Sequence, residues 1–374
     1  MKIIKPTPAD MSEEITETTD VQIQGTCTWI SPSNIALVKY WGKKHEQLPC
    51  NPSISFTLQE AHTRIRLDWE ILTTPRQDQV AFEFTFHGQQ KPEFNHRIQR
   101  FLDRIGKEIP EFSNYFLRID SENTFPHSSG IASSASAMSA LSAALVDMDH
   151  QIRGLQLTHH DLSIDTSRQI STLSRLGSGS ACRSIYPQAA LWGKTSFPDS
   201  SDLYAVGLDH ILHKDFHRYH DAILLVDQGQ KKVSSSAGHE LMKNHPYADV
   251  RYEEARSNTQ KLLDILRTGA LEEFVLLTEA EALSLHALMM ASSPGYILLH
   301  PNTIKIIHLI REFRMSTGLP VCFTLDAGPN IHFLYPDFAR NKVLSFIQSE
   351  LVPLCNEGQW IDDHMGPGIQ KASQ

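Results

Sequence analysis

The chain has 374 residues and carries 34 Lys and Arg against 43 Asp and Glu, a formal net charge of −9 at pH 7. At about 150 residues per domain that length predicts roughly two domains, each with enough apolar surface for its own core. The acidic balance excludes a general nucleic-acid or anionic-membrane binder, because such partners are captured by clustered Lys and Arg, so any phosphate site must be local.

Residues 1–22 are rich in Glu, Thr and Pro and lack the apolar stretch and cleavage site of a secretory signal. They read as a flexible leader. With no uninterrupted run of about 18 apolar residues anywhere, the expected location is the cytoplasm. Cys27, Cys50, Cys182, Cys322 and Cys355 are scattered without a C-x-x-C pair, which predicts free, mostly packed thiols. The 19 histidines show no metal-ligand spacing and read as mostly solvated imidazoles, with no bound zinc.

The first chemical motif is Asn34-Ile-Ala-Leu-Val-Lys-Tyr-Trp-Gly-Lys43, an apolar approach to Lys39, Tyr40, Trp41 and Lys43. It reads either as a rigid, partly desolvated anion pocket or as a strand end with an exposed basic tip. Residues 63–69 and 80–86 alternate apolar and polar side chains and predict half-buried strands of an antiparallel sheet. Next comes Phe125-Pro-His-Ser-Ser-Gly-Ile-Ala-Ser-Ser-Ala-Ser136, followed by Met138, Leu141 and Leu145 at helical spacing. Small residues before a buried helix make either a phosphate cradle at the helix N-terminus or a Ser-rich cap. The Walker A pattern is absent.

Gly177-Ser-Gly-Ser-Ala-Cys-Arg183 ends a second small-residue run in one cation, whose planar fork suits carboxylate or phosphate unless it is merely a solvated turn residue. A polar stretch near 195–204 is the expected domain boundary, and Ala222 to Val226 the strand that opens the second region. Helices are predicted through Phe274, Leu277, Ala280, Leu283 and Ala287, and through Thr303, Ile306, Ile307, Ile310 and Phe313. Strands Val321 to Leu325 and Ile331 to Tyr335 flank Asp326-Ala-Gly-Pro-Asn330. Asp326, at a strand end among small residues, is placed either to reach a reacting hydroxyl or to close an Asx turn. Strands first, then helices, with strands returning, predict an α+β fold.

Together these segments resemble the GHMP kinase superfamily and, within it, the diphosphomevalonate decarboxylase family. The resemblance runs from about Gly25 to the end, through Asn34 to Lys43 with Asn51-Pro-Ser-Ile-Ser55, Pro126 to Ala135, Ser178 to Arg183, Val233-Ser-Ser-Ser236 and Asp326 to Asn330. It implies a two-lobed GHMP kinase fold: a ribosomal S5 domain 2-like N-terminal lobe (23–204, ATP-binding), an α/β sandwich C-terminal lobe (205–374), and an active site in the cleft. The implied reaction is ATP-dependent decarboxylation of mevalonate 5-diphosphate to isopentenyl diphosphate, with Mg²⁺, in a homodimer without nucleic-acid or membrane partners.

The same resemblance assigns roles. Asp326 deprotonates the 3-hydroxyl, Lys39 lies near the reacting end, and Arg183 clamps the substrate carboxylate or phosphate. Tyr40, Trp41, Gly42 and Lys43 contact the substrate, as do Ser178, Gly179, Ser180, Ala181 and Cys182. Arg97 binds the diphosphate, and Ser235 and Ser236 belong to a loop near the phosphates. Ser128, Ser129, Gly130, Ala132, Ser133 and Ser134 form the ATP phosphate loop, with Mg²⁺ bridging the nucleotide oxygens. Two departures from the family pattern bear on substrate fit: His127-Ser128-Ser129 replaces smaller, less polar residues, and Tyr186-Pro187-Gln188 stands where a Gly pair is usual. Relatives acting on mevalonate 5-phosphate, or phosphorylating the 3-hydroxyl without decarboxylation, are the alternatives.

Overall fold

Two β-sheets organise the chain, and the computed structural model describes residues 24–74, 79–126, 131–157, 162–227, 229 and 235–372. In chain order the first half contains β1 (Gly25–Ala36), β2 (Ser53–Ile71), β3 (Ala81–Phe86), β4 (Gln89–Gln90), α1 (Pro92–Glu108), β5 (Tyr115–Asn123), α2 (Ser133–Ile152), α3 (Ile164–Gly177), a 3₁₀ turn (Gly179–Arg183), β6 (Ala189–Trp192) and β7 (Ala205–Gly207). There follow β8 (Tyr219–Leu224), α4 (Ser235–Leu241), α5 (Ala248–Thr268), α6 (Leu271–Ala291), α7 (Pro301–Thr317), β9 (Cys322–Thr324), β10 (Ile331–Pro336), α8 (Arg340–Phe346), β11 (Trp360–His364) and β12 (Gln370–Lys371). The fold is α+β and two-lobed.

The first sheet has the order β12-β1-β2-β5-β3-β4, with β6 and β7 continuing from the other end of β2. Along β2 the expected alternation is present: Thr63, Ile65 and Leu67 are buried while Arg64 and Arg66 are exposed. β3 departs from the expected antiparallel order and runs parallel to β5, with Ala81 opposite Phe116. The reason is connectivity. The chain between them passes through β4 and α1, and that crossover returns it in its starting direction.

Helix α1 starts at Pro92, where a missing N–H costs nothing, and buries Ile98, Phe101, Leu102 and Ile105 against the sheet. Helix α2 is buried almost all round, and its Ala and Ser side chains let it lie close to β1, where the Ser31 and Ser139 hydroxyls meet. The second sheet, β11-β8-β10-β9, is antiparallel throughout, and β9 and β10 are the strands expected on either side of Asp326.

The two sheets share a core. Phe56 of β2 interlocks with Phe216, Tyr219 and Phe274 at ring-centroid distances of 5.1 to 6.3 Å. Asp363 of β11 stitches the same seam, accepting the Gln59 and Glu60 N–H groups at 2.9 Å and that of Ala61 at 2.8 Å.

Two expectations are corrected. Five histidines, His220, His239, His245, His286 and His332, are buried rather than solvated, each with a hydrogen-bond partner. Helix α6 is the one helix among the described residues long and apolar enough to cross a membrane, with a mean hydropathy of 1.4. It escaped a count of uninterrupted apolar runs because acids interrupt it, and two of these, Glu279 and Glu281, are buried in ion pairs with Arg311, Arg314 and Arg251. The cysteines are free, four of them buried. Gln188, at the departure from the family's Gly pair, holds φ at 58°, a conformation glycine adopts without strain. His127 to Gly130 lie outside the described residues.

Candidate active site

Strand β1 ends where Leu37 and Val38 both donate to the carbonyl of Ile54, and this delivers Lys39 into the seam between the lobes. Lys39 is 1 % exposed, and its Nζ donates to the Ala36 carbonyl at 2.5 Å and to Asp326 Oδ1 at 3.0 Å. Burial pulls the ammonium below the usual lysine range, while Asp326 and Glu281 oppose that pull. The basic tip is therefore not exposed, because the second lobe covers it.

Asp326 arrives from the other lobe on the turn between β9 and β10, which the Gly328 N–H closes by donating to the Asp326 carbonyl at 2.7 Å. Two helices pin this turn: His286 Nε2–H of α6 donates to the Asp326 carbonyl at 3.1 Å, and Thr303 Oγ1 of α7 donates to the Pro329 carbonyl at 2.6 Å. Burial pushes His286 down to about 4, so the imidazole is neutral, and the carbonyl acceptor places its proton on Nε2. The Asp326 side chain remains 29 % exposed, open to the cleft.

The Lys39 peptide is itself gripped. Its N–H donates to Glu281 Oε2 at 2.9 Å, and its carbonyl accepts from Asn51 Nδ2 at 3.1 Å and Arg251 at 3.4 Å. Glu281 is completely buried and also accepts from Arg251 at 2.8 and 2.5 Å and from Asn258 at 2.6 Å. Neither Glu281 nor Arg251 was expected at the site. A signal did exist, since Glu281 sits on the stripe defined by Phe274, Leu277 and Leu285, where α6 faces the core.

A cavity of about 240 Å³ opens above the Lys39–Asp326 pair. Of the expected residues, Lys39, Tyr40, Trp41, Lys43, Arg97, Ala132, Ser134, Ser178, Gly179, Ser180, Arg183 and Asp326 all line it. Gly42 does not: it turns the chain at φ 97°, and a Cβ there would collide with Tyr252 Oη. Ala181 and Cys182 lie behind the wall, fully buried, with Cys182 Sγ donating to the Gly179 carbonyl at 3.0 Å. Ser235 and Ser236 begin α4, and their side chains, like Ser128, Ser129 and Gly130, are outside the described residues.

Arg183 is 2 % exposed, not a solvated turn residue. Its guanidinium donates to Ser55 Oγ at 3.0 Å, Ser53 Oγ at 2.7 Å and Asn34 Oδ1 at 3.1 Å, all neutral acceptors. Among the described residues it forms no salt bridge; burial disfavours the cation, the Asp326 carboxylate opposes that at longer range, and an anion in the cavity would complete the balance. At the other end Lys43 is half-buried; burial lowers its pKa, Arg97, Arg104 and Lys243 lower it further, and Glu240 opposes them.

Helix α2 points its first turn at this cavity. Its N-cap, Ala132, supplies no side-chain cap; the Ala135 N–H donates to the Ala132 carbonyl at 2.7 Å, and among the described residues no side chain caps the N–H groups ahead of it, which suits an anion. Ser134 Oγ meets Ser178 Oγ at 3.1 Å, which ties the two small-residue loops together. Arg97 and Ser134 also line a second, apolar cleft of about 80 Å³ between α1, α2 and the sheet, walled by Phe84, Phe86, Phe94, Ile98 and Met138, with Ser133 at its edge. That cleft was not expected, although three Phe residues on the alternating β3 and α1 segments were in view.

The chain matches the diphosphomevalonate decarboxylase-like N-terminal domain over residues 31–205 and the mevalonate 5-diphosphate decarboxylase C-terminal domain over residues 222–371. It is 30 % identical to the diphosphomevalonate decarboxylase of Saccharomyces cerevisiae over 86 % of this chain and 81 % of that one. The chain belongs to the diphosphomevalonate decarboxylase family. Another member of the family, from Candida albicans, is 28 % identical over 92 % of this chain and 97 % of its own. Among solved structures, the mevalonate diphosphate decarboxylase from Staphylococcus aureus aligns with a TM-score of 0.77 at 28 % identity, covering 93 % of this chain and 98 % of that one. A structure described as MDDEF in complex with MVAPP, AMPPCP and magnesium aligns with the same TM-score at 25 % identity, over 93 % and 99 %.

Proposed function

We propose that this protein carries out the ATP-dependent decarboxylation of mevalonate 5-diphosphate to isopentenyl diphosphate, ADP, phosphate and carbon dioxide. The observation that carries the reading is the Lys39–Asp326 pair, 3.0 Å apart across the two lobes, at one end of a cavity whose wall and far end hold Arg183, Arg97 and Lys43. A small polyanion with a reacting hydroxyl fits that arrangement.

Asp326 orients the tertiary 3-hydroxyl and takes its proton as the γ-phosphoryl group of ATP is transferred to that oxygen. Lys39 fixes the carboxylate and offsets charge on it. The new phosphate then leaves C3 with the C–O electron pair, the C1–C2 bonding pair becomes the C2=C3 double bond, and C1 departs as carbon dioxide. Arg183 holds the substrate carboxylate in line, and Lys43 and Arg97 hold the diphosphate.

The open first turn of α2 binds the ATP phosphates through Ser133, Ser134 and their backbone N–H groups, and the apolar cleft beside it takes the adenine between Phe84, Phe86 and Phe94. A Mg²⁺ ion accompanying the nucleotide would be carried mainly on its phosphate oxygens. Mg²⁺, when bound there, neutralises nucleotide charge, with the Ser133 and Ser134 hydroxyls within the same loop.

In this reading residues 23–204 carry the nucleotide and residues 205–374 complete the cleft. The enzyme is a cytoplasmic homodimer, a location supported by its five free cysteines. Incubation with ATP, Mg²⁺ and either mevalonate 5-diphosphate or mevalonate 5-phosphate tests the assignment. ADP, phosphate and carbon dioxide should appear in equal amounts, and faster from the diphosphate. ADP without carbon dioxide would identify a 3-kinase instead.

A further inference from the structure

One polar side chain of the cavity has no part in the chemistry above. His239, on α4, is 8 % exposed and lines the cavity, its ring lying 4.5 Å from Tyr40 and 4.7 Å from Trp41 between centroids. Its Nδ1 accepts the Gly42 backbone N–H at 2.9 Å. An imidazolium has no lone pair to accept with, so that bond holds the ring neutral and places its one proton on Nε2. Burial acts in the same direction, pushing the group down to about 3 with Lys43 adding to the effect. Nε2, the ring's remaining polar atom, makes no hydrogen bond among the described residues, and the side chain lines the cavity. The charged neighbour that His239 feels is Lys43, at the Arg97 end, and not the Lys39–Asp326 pair.

We infer that His239 is a specificity-determining residue whose Nε2–H donates to an anionic oxygen at the diphosphate end of the substrate. This rests on the assignment of the cavity to mevalonate 5-diphosphate. A neutral donor adds selectivity for a terminal phosphoryl oxygen without a further cation in a pocket that already concentrates Lys43 and Arg97.

Two substitutions separate this role from the structural one. In His239→Asn the side-chain oxygen takes the place of Nδ1, keeping the acceptor for Gly42 while the outward donor is lost. In His239→Gln the amide nitrogen reaches the place of Nε2, keeping the donor. Titration calorimetry with mevalonate 5-diphosphate, alongside thermal melting, should show at least roughly tenfold weaker binding for the Asn variant at an unchanged Tm. Binding within about threefold of wild type is expected for the Gln variant, and unchanged ATP affinity for both. Wild-type protein that binds mevalonate 5-diphosphate combined with any other variant pattern overturns this inference alone. Wild-type protein that does not bind it overturns the functional assignment as well.

Discussion

The backbone N–H of Lys39 donates to Glu281 Oε2 at 2.9 Å, joining residues 242 positions apart in the chain. Glu281 is in turn paired with Arg251, and both are buried, so the carboxylate aims the lysine without touching its ammonium group. Glu281→Gln leaves the buried Arg251 with only the half-exposed Glu254 as counter-charge and should cost about 3 kcal/mol of stability, read by urea denaturation. In the folded fraction kcat should fall while the substrate KM stays close to wild type, because only the aim of Nζ changes. Replacing both Glu281 and Arg251 by Met should cost less than Glu281→Gln alone.

Asp326→Asn removes the proton acceptor but keeps the shape of the turn, which His286 and Thr303 hold through backbone carbonyls. The expected loss in kcat is about 10²–10⁴-fold, with ADP and carbon dioxide falling together in a stoichiometric assay. Persistent ADP formation would show that transfer does not depend on this carboxylate.

Arg183 spans three oxygens from β1 and β2 with one planar fork. A lysine cannot bridge Asn34, Ser53 and Ser55 at once, so Arg183→Lys should raise the substrate KM by roughly tenfold or more despite conserving charge. Steady-state kinetics on both substrates tests this, with KM for ATP expected to move far less.

Stability should weaken on acidification for a defined reason. His286 titrates near 4 in the folded protein against 6.5 for the ordinary group, so between those values the unfolded chain binds more protons. Stability therefore rises with pH across this window and is lost as pH falls from 6.5 towards 4, by on the order of 3 kcal/mol for this site. His286→Gln should flatten the dependence of the urea midpoint on pH over that range, and an unchanged slope would contradict the neutral, buried assignment.

Phe94 meets Phe84 and Phe86 edge-on at centroid distances of 5.9 and 5.8 Å in the apolar cleft. Phe94→Ala should raise KM for ATP by about tenfold, on the scale of one lost stacking contact, and leave KM for mevalonate 5-diphosphate near wild type. Equal changes in both constants would place the base elsewhere.

Much of the fold was legible along the chain. The period-2 segments around Ile65 and Phe84 are strands, and the buried helix after Ile131 and the strands flanking Asp326 lie where their patterns put them. The parallel pairing of β3 with β5 was not legible, because alternation reports which faces are buried and says nothing of strand direction. At the site, Lys39, Arg183 and Asp326 stood out as charged residues among small or aromatic neighbours. His239 did not, since one histidine among 19 carries no local mark, and its tautomer follows from a Gly42 N–H almost 200 positions away.

The sequence by itself determined the chemical inventory: an acidic chain with a few cations and one carboxylate set in small-residue loops. Only the tertiary structure decided which of those charges meet and in what protonation state. Lys39 and Asp326 come from opposite lobes, Arg183 is buried among neutral oxygens, and His286 is neutral beneath the Asp326 turn. The physical reason is that local pattern governs which side chains are apolar. Desolvation and Coulomb interactions, which set the strength of a charge, depend on whatever the rest of the chain packs around it.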